Sequence, residues 1–314
     1  MNSNVPDARP VRPGLPPRVR LPAPVTSLFE RWDNPPENWY IDVVILSTIR
    51  SLWVWGAVIA LICLWLPLLA VIRFFDADPV RYTTGRWFRR LGVAMTKVNP
   101  SWRVHRDGEK VANPRRPYVV VSNHQSFADI PIISHLPWEM KWIGKAELFR
   151  IPFVGWMMRL AGDIPVDRAD RRSGARMLLA ARRSLHLKCS VMFFPEGTRS
   201  PDGRVWRFNE GAFHLAIKAG VPVLPVAIEG TRDCLPKRSW KFGPPQEIRL
   251  RVLPPVETDG ITAEGVPELT NRVRRMIVDQ IASWRGQDAA SVDALSERGA
   301  PAPPDDAIRT EEEA

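Results

Sequence analysis

Beyond residue 100 the chain alternates short apolar runs rich in Val and Ile with longer stretches whose apolar residues recur every three or four positions. The short runs predict strands at 102–106, 118–122, 140–143, 164–166, 191–194, 223–228 and 248–252. The longer pattern predicts helices at 127–135, 153–160, 171–187, 209–219 and 264–284. Apolar strands separated by helices fit an α/β fold, a mostly parallel sheet flanked by helices on both faces. No internal repeat is visible.

The pattern changes toward the N-terminus. "SLWVWGAVIALICLWLPLLAVI", residues 51–72, carries no charge. As a helix it would be about 33 Å long, against roughly 30 Å for a bilayer core, so residues 41–75 are expected to form an N-terminal membrane-anchoring helical segment. Gly56 and Pro67 also allow a helical hairpin that enters without crossing. Arg31 and Arg50 precede the run, whereas Arg73, Arg81, Arg86, Arg89 and Arg90 follow it. The denser cluster places the following domain in the cytoplasm, at the inner membrane. Residues 1–36 hold nine prolines and five arginines without apolar periodicity, so a disordered arm is expected over 1–40. The folded domain is expected over 80–285.

The net charge of +10 favours anionic partners. It is unevenly placed: residues 286–314 hold eight acidic and two basic residues, and read as an acidic disordered tail outside the domain. Cys63, Cys189 and Cys234 lie far apart without any C-x-x-C spacing, which indicates neither a disulfide framework nor a zinc site.

Chemistry concentrates where apolar strands stop. "VVVSNHQSFADI", residues 119–130, drives a buried-looking strand into Asn123, His124 and Asp129. With His124 in the turn and Asp129 on the first helical turn, the carboxylate can hold one imidazole nitrogen and leave the other to accept a proton. Ser126 is near but has no G-x-S-x-G elbow, so the pair suits direct transfer to a hydroxyl brought by a substrate. His105, His135, His186 and His214 read as surface or filler residues. "VMFFPEGTRS", 191–200, repeats the design with Glu196, Gly197, Thr198 and Arg199; the glycine admits a close ligand and the guanidinium suits a phosphate. "GDIPVDR", 162–168, ends in Arg168. "VPVLPVAIEG", 221–230, places Pro222 and Pro225 in an apolar strand, a pairing that usually marks a sheet edge.

In this order the four pieces resemble the glycerolipid acyltransferase family, in particular the bacterial 1-acyl-sn-glycerol-3-phosphate acyltransferases, over about residues 80–285. Asn123, His124 and Asp129 match the N-H-x(4)-D motif, and 162–168, 194–200 and 221–226 match the three that follow. The resemblance implies transfer of a fatty acyl group from acyl-CoA or acyl-carrier protein to the sn-2 hydroxyl of lysophosphatidic acid, giving phosphatidic acid. His124 would be the general base and Asp129 its partner. Arg168 would bind the acceptor phosphate, Glu196, Gly197 and Arg199 would form part of the acceptor site with Thr198 beside them, and Lys145 is a further phosphate candidate. No metal or cofactor is implied, the acyl donor being a substrate. The expected partners are membrane lipids, the lysophospholipid acceptor and the acyl donor, without nucleic acid, for which no helix-turn-helix, zinc-finger or RNA-binding signature is present. Glycerol-3-phosphate, another lysophospholipid or a lyso-ornithine lipid stays open as acceptor, as does a non-catalytic basic membrane-surface role on the same scaffold.

Overall fold

The computed structural model describes residues 39–167, 169–236 and 239–296. The chain divides into two units, Met1–Asp42 and Val43–Ala314. Of the first, only the helical backbone of residues 39–42 is described; the rest of the expected Pro-rich arm lies outside the described residues.

Seven strands form one sheet: β1 (Trp102–Gly108), β2 (Val119–Ser122), β3 (Met140–Lys145), β4 (Ile164–Val166), β5 (Ser190–Phe193), β6 (Val223–Glu229) and β7 (Gln246–Val252). Their spatial order is β1-β7-β6-β2-β5-β3-β4. Every neighbouring pair is parallel except β6 with β7. The carboxyl ends of β2 to β6 therefore share one edge, where open α/β sheets place their ligands.

The helices are α1 (Trp39–Phe75), α2 (Tyr82–Lys97), α3 (Asp129–Ile133), α4 (Val154–Ala161), α5 (Arg171–His186), α6 (Gly211–Ala219), α7 (Val266–Arg285) and α8 (Ala289–Val292). The central valines show why both sheet faces are covered. Val119 and Val121 join the core formed with α5, α6 and α7, while Val120 joins the opposite core with Ile132 and Ile133 of α3. Branched side chains on alternating faces give an uninterrupted apolar run because neither face meets water.

Three features depart from the sequence expectations, and a fourth decides between two of them. Pro225 lies in an interior strand, not at an edge: its carbonyl accepts Leu253 N at 2.9 Å on the β7 side, just past the last β6–β7 pair, Val226 with Val252. The missing proline N–H thus falls where the β7 ladder has already ended. The tail expected from 286 begins folded, because Val292 and Ala294 are fully buried and Asp293 pairs with Arg274; residues 297–314 lie outside the described residues. Helix α1 runs through Gly56 and Pro67 without a break, and its Val44–Phe75 portion is long and apolar enough to cross a membrane.

The third departure is α2, whose apolar pattern is interrupted by two residues that face inward, Gly85 and Arg89. A Cβ at Gly85 would fall 2.0 Å from Glu139 Oε1, so glycine lets the helix approach a buried carboxylate. Arg89 is buried and donates to both oxygens of Asp163 at 2.6 Å. Lys141, equally buried, bonds Glu139 Oε1 at 3.0 Å and the Ala161 carbonyl at 2.7 Å. Burial opposes the Arg89 charge, but Asp163 and Glu139 outweigh it and hold the guanidinium above its usual pKa. Two cations and two anions thereby neutralise one another between α2 and the β3–β4 side of the sheet. Arg86 is also engaged inward, on the carbonyls of Leu136 and Trp138, so two of the arginines that suggested an orientation serve packing. Replacing Arg89 by Met leaves the Asp163 charge without its cation and Glu139 with Lys141 alone. The expected loss of stability is about 3–5 kcal/mol, to be read from denaturant midpoints of the purified protein.

Candidate active site

The turn after β2 is held from three directions. Asn123, 1% exposed, donates through Nδ2 to the Ile228 carbonyl at 2.9 Å and accepts Ile228 N at Oδ1 at 3.0 Å. Its side chain thus continues the β2–β6 ladder after the backbone has turned away. Asp129, fully buried, opens α3 and faces back across the turn. Its Oδ2 accepts His124 Nδ1 at 2.7 Å, Gln125 N at 2.7 Å and Ser126 N at 3.0 Å. The Thr231 hydroxyl donates to the other oxygen, Oδ1.

With Nδ1 donating to a carboxylate, the imidazole keeps Nε2 as its proton-accepting nitrogen. The His124 ring lies on the Phe194 ring, centroids 4.0 Å apart and planes 17° off parallel, and its side chain is 13% exposed. Among the described residues, none hydrogen-bonds Nε2. A ring fixed on one face by an aromatic and on one nitrogen by a carboxylate presents its free nitrogen in a single direction.

The turn after β5 completes the clamp. Glu196 is 5% exposed, and its oxygens accept His124 N at 2.7 Å and Trp206 N at 3.0 Å. Ser200 N donates to the His124 carbonyl at 2.7 Å. Both backbone polar groups of His124 are therefore held by one neighbouring turn. Gly197 has φ +76°, the left-handed conformation that glycine adopts without strain. Arg199 lies half-buried with its guanidinium carbon 4.2 Å from the centre of the Phe127 ring, forms no ion pair among the described residues, and has its pKa lowered by burial. Thr198 is partly exposed beside it.

The sequence-predicted residues thus fall into three groups. His124, Asp129 and Glu196 are joined by direct hydrogen bonds, and Gly197, Thr198 and Arg199 belong to the same turn as Glu196. Lys145 ends β3 on the same sheet edge, but its ammonium meets Glu147 at 3.4 Å. Arg168 lies outside the described residues. Sequence reasoning missed Thr231, Gln125 and Phe194 as neighbours of the dyad. Thr231 follows β6 by two residues and stands 102 positions from Asp129, so only the strand order brings them together. Among the described residues no group of three or more His, Cys, Asp or Glu could hold a metal ion. What the arrangement can do is take a proton from a hydroxyl presented at Nε2, next to an arginine suited to an anion.

The chain is similar to known proteins over most of its folded region. The Acyltransferase family model matches residues 103–229, from β1 to the end of β6. The chain is 36% identical to the 1-acyl-sn-glycerol-3-phosphate acyltransferase alpha of Mus musculus, over 68% of this chain and 76% of that protein. It is 30% identical to the 1-acyl-sn-glycerol-3-phosphate acyltransferase of Haemophilus influenzae, over 71% and 90%. It spans less of some relatives, covering 46% of the chloroplastic 1-acyl-sn-glycerol-3-phosphate acyltransferase of Arabidopsis thaliana at 39% identity over 52% of this chain. Among solved structures, the 1-acyl-sn-glycerophosphate acyltransferase PlsC of Thermotoga maritima superposes with a TM-score of 0.66 at 29% identity, covering 78% of this chain and 98% of that one.

Burial pushes the Glu196 carboxyl up to about 8, although the N–H groups of Trp206 and His124 pull it down and the Asp129 charge adds to the rise. A carboxyl whose folded pKa is raised contributes stability that is complete below its unfolded pKa and is lost as pH rises through the folded value. Stability is therefore expected to fall between about pH 4.5 and 8, and Glu196→Gln to remove that part of the slope. Denaturant midpoints of both proteins across this range check it: parallel curves would refute the assignment.

Proposed function

This chain belongs to the 1-acyl-sn-glycerol-3-phosphate acyltransferase family, and from that premise we propose that it moves a fatty acyl group from an acyl thioester to the sn-2 hydroxyl of lysophosphatidic acid, forming phosphatidic acid. The observation that carries the reading is the His124–Asp129 pair, with Nε2 unengaged at the carboxyl edge of the sheet.

In this mechanism His124 Nε2 takes the proton of the acceptor hydroxyl as its oxygen attacks the thioester carbonyl. Asp129 remains ionised and stabilises the imidazolium. The tetrahedral intermediate collapses with a C–O bond formed and the C–S bond broken, and the imidazolium proton goes to the departing thiolate. Direct attack by the acceptor fits the surroundings of the base. Ser126 is 1% exposed with its hydroxyl oxygen accepting Ala128 N, and burial raises the thiols of Cys189 and Cys234 away from reactivity. The reaction draws on no cofactor, since the donor, acyl-CoA or acyl-carrier protein, is consumed as a substrate.

Arg199, with Gly197 and Thr198, would receive the acceptor phosphate, joined by Arg168 and Lys145. A planar guanidinium without a carboxylate partner offers the bidentate, charge-assisted bonds that a phosphomonoester needs. Glu196 serves this site by fixing the loop, because both of its oxygens are already occupied by backbone donors. Purified protein assayed against a panel of lysolipids with matched CoA and carrier-protein donors is expected to favour lysophosphatidic acid. His124→Ala should lower kcat at least about a hundredfold with folding unchanged, and near-normal turnover would reject the base.

The way α1 is seated supports one membrane arrangement. Near one end Arg50 donates to Ser101 Oγ and to the Phe242 carbonyl, both at 2.9 Å, and Trp55 Nε1 to the Trp240 carbonyl at 2.7 Å. Farther along, Trp65 Nε1 bonds the Trp87 carbonyl at 2.8 Å, and Leu69 is fully buried with Leu91 and Met157. Residues 50 and 69 are about 28 Å apart along the helix, yet both rest on the catalytic domain. The opposite face exposes Leu46, Ile49, Trp53, Leu64, Val71 and Phe75. A helix so held lies along the inner membrane, that face in the cytoplasmic leaflet, and does not cross. After replacement of Cys63, single cysteines at Ile45 and Ala77 should react with a membrane-impermeant maleimide from the cytoplasmic side of sealed vesicles. Labelling from opposite sides would show a crossing.

A further inference from the structure

Asp129 has one oxygen that the His124 turn does not reach. Oδ2 takes all three donors supplied by that turn, and the hydroxyl of Thr231 is the donor to Oδ1. Thr231 is fully buried and lies outside the four sequence motifs, the last of which ends at Val226. Its place is built into the backbone. Gly230 has φ +86°, and a Cβ there would fall 2.4 Å from the Glu247 carbonyl oxygen, so the chain turns sharply out of β6 and carries Thr231 beneath α3.

We propose that Thr231 is a positioning residue for the reaction: its hydroxyl orients and holds ionised the Asp129 carboxylate, and so sets the basicity of His124. The proposal rests on His124 as the general base. A hydroxyl has one proton and two acceptors are near, Asp129 Oδ1 and, at 3.4 Å, Gln125 Oε1. The charged and closer acceptor receives it. Gln125 is held separately, its Nε2 donating to Glu229 Oε2 at 2.9 Å, while Glu229 is neutralised by Arg285 of α7 at 2.8 Å. The amide therefore borders Thr231 without withdrawing its proton from Asp129.

Removing the hydroxyl leaves a buried anionic oxygen without its donor. The carboxylate becomes more basic and draws more strongly on the Nδ1 proton, which favours the imidazolium. His124 then becomes neutral only at higher pH, and the acid limb of the rate profile moves upward. The other titratable groups facing this carboxylate are Glu196 and Arg199 from the β5 turn and Cys234 from the loop after β6. None of them is altered by a change at residue 231.

The test compares Thr231→Val, Thr231→Ala and Thr231→Ser with wild type and with His124→Ala, using lysophosphatidic acid and an acyl-CoA in detergent or liposomes. The two variants without a hydroxyl should lose about tenfold to a hundredfold in kcat, with little change in KM for the acceptor and an acid limb displaced to higher pH. Thr231→Ser should restore both rate and limb. If Thr231→Val fails to fold, as judged by circular dichroism, the alanine and serine variants decide. Wild-type kcat without the hydroxyl overturns the proposal. So does an equal loss in all three variants with an unmoved acid limb, since that outcome is packing alone. If His124→Ala itself keeps normal turnover, the base assignment fails instead.

Discussion

A carboxylate with no exposure to water can stay ionised only if donors close around it, and Asp129 meets that condition with groups from two strand ends. Two backbone N–H groups and the imidazole come from the turn after β2, and a hydroxyl comes from the chain leaving β6. The turn after β5 then fixes the backbone of His124 itself. These three strands are neighbours in the sheet, in the order β6-β2-β5. The dyad is thus a property of strand adjacency: its geometry persists as long as the three ladders keep their register.

The sheet depends in turn on charge buried elsewhere. Asp163, the second residue of the second sequence motif, bonds Arg89 of α2 and accepts Trp142 N from β3 at 3.1 Å. Its position in that motif therefore has a structural reading independent of substrate. The same quartet ties α2 to the sheet, and α2 in turn helps to seat α1 through Trp87 and Leu91. The apolar helix α1 and the His124 site are joined through packed elements, with α2 as the intermediate.

Elements whose burial follows a simple period were legible in the sequence. The runs around Val119–Val121 and Val223–Val226 announce strands because both faces are apolar, and the alternation with helices announces a parallel sheet. His124, Asp129 and the 194–200 turn stood out because polar residues follow such runs abruptly. Helix α2 was hidden by its contents, since an inward Arg and Gly read as surface and loop until Glu139 and Asp163 are seen opposite them. Residues 289–296 were hidden by average composition: the many acids around them mask two small apolar residues that bury fully. Thr231 had no signal of its own, because nothing local distinguishes a threonine after a glycine from any turn threonine.

The side chain of Asn123 has a consequence for what this turn can tolerate. A primary amide carries a donor and an acceptor at nearly the spacing of a peptide group, so it can stand in for a missing strand residue opposite Ile228. Asp has the same outline but would set an anionic oxygen against the Ile228 carbonyl, and Gln is one methylene too long for the gap. The requirement at 123 is for the electrical pattern of a backbone unit at one length of side chain. A strand can stop there without breaking its seam, which lets the chain bend toward solvent while its neighbour remains fully paired.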